Sequence, residues 1–146
     1  MVELGPDDCR TVLPETAQAV ELGRRFTRAA LIDAGYRGRH DDILLIASEL
    51  VTNALRHGHG APQLLVRCSA DGARVRVEVV DDSPVPPVPR SSGPVGGFGL
   101  LLMSRLGRWG TAPRGSGKAV WCEVDAASMT SRPVGRTATA GMAVSP

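Results

Sequence analysis

Aromatic residues are scarce in this chain: two Trp, one Tyr and two Phe among 146 residues. Proteins that hold single-stranded nucleic acid by base stacking need more aromatic faces than that. An excess of one charge is also missing. Lys and Arg number 17 and Asp and Glu 15, a net charge of +2, so a dense basic face for phosphate backbones is not expected. No apolar run approaches about 18 residues, which argues against a membrane-spanning helix. The start, Met1-Val2-Glu3-Leu4-Gly5, lacks the basic-then-apolar order of a signal peptide. Cysteine is sparse as well. Cys9, Cys68 and Cys122 are odd in number and far apart, which suits neither a disulfide framework nor a metal knuckle. The expected compartment is a reducing cytoplasm.

What is present suits one domain. The chain is 42% hydrophobic and 22% charged, close to globular norms, and long enough to bury a core without staples. Residues 1–8 show no periodicity and are expected to be flexible. Residues 126–146 are mostly Ala, Ser, Thr, Gly, Arg and Pro. Such a composition offers little core surface and predicts a disordered tail. The expected domain therefore spans residues 9–125.

Inside it, Cys9 to Leu13 reads as a short edge strand. Pro14 and Glu15 suit a first helical turn. Ala17, Val20, Leu22, Phe26, Ala29, Ala30 and Ile32 then recur at helical spacing until Gly35 stops the helix. His40-Asp41-Asp42 opens a second helix, and Ile43, Ile46, Ala47, Leu50, Val51, Ala54 and Leu55 give it a broad buried face before Gly58 and Gly60. Pro62 to Ser69 reads as a strand and Asp71-Gly72 as a hairpin turn. From Ala73 to Val80 the pattern alternates, with Val75, Val77 and Val79 inward and Arg74, Arg76 and Glu78 outward. A Pro/Gly-rich loop follows from Ser83 to Gly96, then a helix from Gly97 to Gly107. Two closing strands cover 108–112 and 118–124. This order is not a strict βαβ alternation. It predicts an α+β fold with helices on one face of a mixed, largely antiparallel sheet.

Three constellations could carry chemistry. Glu49, Asn53 and His57 are four residues apart, so they line one edge of the second helix. Glu49 suits a general base, and the Asn53 amide oxygen suits a hard cation such as Mg²⁺. His57 suits a phosphate contact or a helix C-terminal cap. A polar stripe facing solvent accounts for the same spacing. Asp81-Asp82-Ser83 closes the alternating strand, where a carboxylate can accept from a ligand amine; a turn-forming Asp is the plainer reading. Gly96-Gly97-Phe98-Gly99-Leu100 opens a helix, where backbone amides can meet phosphate. A flexible linker ahead of a helix fits it too. Gly117-Lys118-Ala119 lacks the Ser/Thr and the upstream glycine of a P-loop.

The order of these segments resembles the histidine-kinase-like ATPase family, also called the GHKL or Bergerat fold. Glu49-Leu-Val-Thr-Asn53-Ala-Leu-Arg-His57-Gly58 resembles its N box. Asp81-Asp-Ser83-Pro84-Val85 resembles the first glycine box, with Ser83 and Val85 where glycines usually stand. Gly97-Phe98-Gly99-Leu100 resembles the second, with bulky Phe98 at its centre. The small size is similar to bacterial anti-sigma-factor serine kinases. The resemblance implies a two-layer α/β sandwich of the Bergerat type that binds ATP with Mg²⁺ under a mobile lid. It implies that Asp81 binds the adenine amino group, with Ser83 beside it, and that Asn53 helps hold Mg²⁺. His57, Gly97, Phe98, Gly99 and Leu100 would contact the nucleotide, with Lys118 near phosphate, and Glu49 would accept the proton of a substrate serine. The implied partners are a sigma factor and an anti-anti-sigma protein, with homodimerisation left open. A nucleotide-gated binding module without phosphotransfer is the alternative, as is a detached sensor-kinase ATPase domain.

Overall fold

Val75, Val77 and Val79 point the same way, and their alternation builds the centre of a sheet. The computed structural model describes residues 8–83 and 103–127. Five strands, β1 (Asp8–Val12), β2 (Gln63–Cys68), β3 (Arg74–Asp81), β4 (Arg108–Arg114) and β5 (Gly117–Asp125), form one sheet in the order β1-β2-β3-β5-β4. All the pairings are antiparallel, where the sequence reading allowed a mixed sheet. Two of them are hairpins, β2–β3 and β4–β5, and a tight turn imposes the antiparallel direction. In the first, Gly72 takes φ +72° and the Ser69 N–H donates to Arg74 O at 2.9 Å.

Two helices, α1 (Gln18–Ala34) and α2 (His40–His57), cover one face of the sheet. The first starts later than Pro14 suggests. Thr16 organises the preceding turn: its hydroxyl accepts from the Gln18 N–H at 3.3 Å and its carbonyl from the Ala19 N–H at 2.9 Å. The helix ends at Gly35, whose φ of +71° admits the reversal. Gly35 N–H bonds Ile32 O and Tyr36 N–H bonds Leu31 O, a Schellman closure. Gly23 lets the helices approach, since a Cβ there would lie 3.3 Å from Val51 Cγ2. Ile43, Ile46, Ala47, Leu50 and Val51 of α2 are fully buried against Val75, Val77 and Val79, with Leu64, Val66, Val120, Cys122 and Val124 alongside. Each large aliphatic buried in this way contributes about 1.5–3 kcal/mol, so the inner edge of α2 is firmly placed.

The opposite face of the sheet carries charge. Arg76 and Glu78 face outward as the alternation predicts, yet Glu78 is buried. Arg76 Nε lies 3.2 Å from Glu78 Oε1, and the Arg114 guanidinium caps Oε2. Arg76 also reaches Glu123 at 2.7 Å and lies 4.4 Å above the Trp121 ring. Arg76 of the same strand and Arg114 of β4 thus cover a carboxylate that period-two reasoning leaves in water.

The loop from residue 84 to 96, the second glycine box and most of the helix expected over 97–107 lie outside the described residues; residues 103–106 are helical, and Met103 is fully buried. Ala126, placed in the tail by composition, is buried and donates to Ala73 O at 2.8 Å. The folded unit therefore continues past 125. Among the described residues, no helix is long and apolar enough to cross a membrane.

Candidate functional site

The C-terminal end of α2 meets the C-terminal end of β3, which brings Gly58, Asp81, Ser83 and Lys118 together. Gly58 caps α2, its N–H bonding Ala54 O at 2.9 Å, and Asp82 N–H bonds His59 O at 2.9 Å. The strand end is thereby stitched to the segment after the helix. Gly58 sits directly on the Asp81 side chain: a Cβ there would come within 2.5 Å of Asp81 Cγ and 2.7 Å of Oδ2. Gly117 crowds the same residue from β5, where a Cβ would collide with the Asp81 carbonyl oxygen. Sequence reasoning saw Gly58 as a helix stop and Gly117 as part of a failed P-loop. Neither reading contains the close approach, which exists only once three distant segments are packed.

Asp81 is almost fully buried and has two partners. Ser83 N–H donates to Oδ1 at 2.7 Å. Lys118, its cross-strand neighbour on β5, donates from Nζ to Oδ1 and Oδ2, each at 3.0 Å, and to Ser83 O at 3.3 Å. The expectation placed Lys118 near phosphate. Its ammonium lies instead against the carboxylate expected to read the base. The register Asp81↔Lys118 leaves it there, and burial of both side chains requires the pairing.

Asn53 and Glu49 lie further along α2. Asn53 is buried and its Nδ2 has no partner among the described residues; Glu49 is half-buried, and its Oε1 is likewise without a partner. The helical rise sets their Cα atoms roughly 7 and 13 Å along the axis from Gly58. Burial raises the Glu49 pKa above the ordinary 4.5, with Arg56 only partly opposing it. A solvent-facing polar stripe does not describe these two residues. It does describe His57, which is exposed on the last turn. Gly97, Phe98, Gly99 and Leu100 lie outside the described residues.

The donor set fits a nucleotide. Among the described residues a buried amide N–H₂ and a buried carboxylate oxygen are left unbonded, which costs free energy that an outside ligand recovers. The Asn53 Nδ2 suits a phosphate oxygen, and its Oδ1 is the hard oxygen that would hold a cation. Mg²⁺ needs only one or two protein ligands when phosphates supply the others.

No curated protein matches the chain. Among solved structures, the histidine kinase domain of a blue-light activated histidine kinase from Erythrobacter litoralis matches with a TM-score of 0.49 and 19% identity. The match covers 73% of this chain and 62% of that one. The sequence profile described as the histidine kinase-like ATPase domain matches residues 12–109. This stretch runs from the end of β1 into β4 and contains both Glu49-x3-Asn53 and Asp81. Carrying that profile across more than half its length, the chain belongs to the histidine kinase-like ATPase domain family.

Proposed function

We propose that this protein is an ATP-binding anti-sigma factor and a protein serine kinase that phosphorylates an anti-anti-sigma antagonist. One observation carries the reading: Glu49 and Asn53, one turn apart on α2, both hold buried polar atoms without partners among the described residues. A helix anchored by Leu50 and Val51 has no structural use for an unbonded carboxylate at that point. A carboxylate held there, with its pKa raised by burial, suits proton acceptance from a serine hydroxyl.

The residues divide the work. Asp81 holds an acceptor oxygen toward the base, fixed in orientation by Ser83 N–H. Asn53 offers its amide to the phosphates and their cation. Glu49 accepts the serine proton on a carboxylate oxygen while the hydroxyl oxygen takes up the terminal phosphoryl group and ADP departs. When bound, Mg²⁺ supplies neutralisation of the phosphate charge. Phosphorylating the antagonist adds a dianion beside Glu49, whose negative charge weakens the product's hold and allows partner exchange.

A second reading has its own support. Ser83 and Val85 stand where the first glycine box usually carries glycines, which favours a nucleotide-gated binding module that captures a partner and transfers nothing. Incubation with labelled ATP, Mg²⁺ and anti-anti-sigma proteins separates the two. Phosphoserine on the antagonist, abolished by Glu49→Ala, supports the kinase. Bound ATP and a captured partner without phosphoserine support the module.

A further inference from the structure

We propose that Lys118 sets the base selectivity of the nucleotide site, so that it admits 6-oxo purines as readily as 6-amino ones. The proposal rests on the reading of Asp81 as the base-edge acceptor.

Asp81 and Lys118 face each other across β3 and β5, and both are at least 95% buried. The ammonium sits symmetrically, 3.0 Å from each carboxylate oxygen. Oδ1 accepts from both Ser83 N–H and Lys118, whereas among the described residues Oδ2 accepts from Lys118 alone. Oδ2 packs against Gly58, where the missing side chain leaves the carboxylate just enough room. With one bond against two, Oδ2 is the oxygen with capacity for a further donor.

A lone buried carboxylate discriminates sharply between purines. It attracts a 6-amino group and repels the lone pairs of a 6-oxo group. A site built to hydrogen-bond one edge rejects the mismatched edge by as much as about 10⁴-fold. An ammonium 3.0 Å away changes what the base meets. The local charge is cancelled, and a cationic donor stands beside the acceptor. A 6-amino purine donates its exocyclic N–H to Oδ2. A 6-oxo purine donates N1–H to the same oxygen and turns its carbonyl toward the ammonium. The lysine has a proton to offer, because its third bond, to Ser83 O, is the long one at 3.3 Å. An incoming carbonyl replaces that bond at little cost. Both edges find complementary partners, and the donor–acceptor difference no longer excludes either.

The test compares ATP with inosine triphosphate, which differs at the 6-oxo group and the N1–H. Calorimetry on the full chain with Mg²⁺ should give dissociation constants within about tenfold of each other. Lys118→Met and Lys118→Thr should each shift the ratio toward ATP by at least about tenfold. A purely structural lysine would leave the ratio unmoved. A wild-type preference for ATP beyond tenfold, or an unchanged ratio in folded variants, overturns the proposal while leaving ATP binding intact. Should both variants fail to fold, the wild-type ratio decides. Failure of wild type to bind either nucleotide removes the base-edge reading and this proposal with it.

Discussion

Lys118 Nζ lies 3.0 Å from both carboxylate oxygens of Asp81, an ion pair buried at the junction of β3, β5 and the end of α2. Breaking a buried pair leaves an uncompensated charge in a poorly solvated place. Lys118→Ala should therefore cost about 3–5 kcal/mol in urea unfolding. The double variant Asp81→Asn with Lys118→Met removes both charges and should lose clearly less than the sum of the single losses. Additive losses would show that the two groups do not act on one another.

Glu49 and Asn53 occupy one edge of α2 but have different proposed roles. Asn53→Ala should weaken ATP binding and phosphotransfer together. Glu49→Ala should leave ATP affinity near wild type and slow serine phosphorylation by roughly 10²–10⁴-fold. Calorimetry and single-turnover phosphotransfer measure the two effects separately. A parallel loss of affinity in both variants would place Glu49 in nucleotide binding instead.

Burial lifts the Glu49 pKa above 4.5, and linkage gives the sign of its effect on stability. The folded state holds the proton more tightly than the unfolded state, so stability falls as pH rises from 4.5 through the raised value. Glu49→Gln has no such loss. Its stability advantage over wild type should grow across that window and level off above it, as followed by urea unfolding at several pH values. The same shift moves the acid limb of phosphotransfer upward, because the base works only when ionised. Parallel pH profiles of stability for wild type and variant would contradict the assignment.

Gly58 has ordinary backbone angles, φ −103° and ψ −172°, so a side chain meets no conformational strain there. Space is the constraint. The Cβ of Gly58→Ala would lie 2.5 Å from Asp81 Cγ and 2.7 Å from Ala54 O. Either the helix end or the carboxylate must move. The expected loss is roughly 1–3 kcal/mol, typical of overpacking, with weakened nucleotide binding because Asp81 is displaced. An unchanged melting temperature and unchanged ATP affinity would show that the contact yields freely.

Much of the fold was legible residue by residue. The valines at 75, 77 and 79 announce a strand with one buried face, and the apolar spacing from Ile43 to Leu55 announces a helix. Gly35 marks the end of α1 because only a left-handed residue closes that turn. Such signals are local: each depends on residues within a few positions of one another. The family was legible from short motifs in order along the chain: Glu49-x3-Asn53, then Asp81, then Gly97-Phe98-Gly99-Leu100.

The partnership of Asp81 with Lys118 is a different kind of fact. The two are 37 positions apart, and they meet because β5 returns beside β3 in one register. A shift of that register by one residue would turn Lys118 to the opposite face. The cover of Glu78 by Arg114 of β4 and the contact of Gly58 with Asp81 likewise join segments far apart in sequence. Periodicity along a chain determines which way a side chain faces within its own element. Which charge it then meets is decided by the packing of distant elements, where the cost of burying an unpaired charge selects the partner.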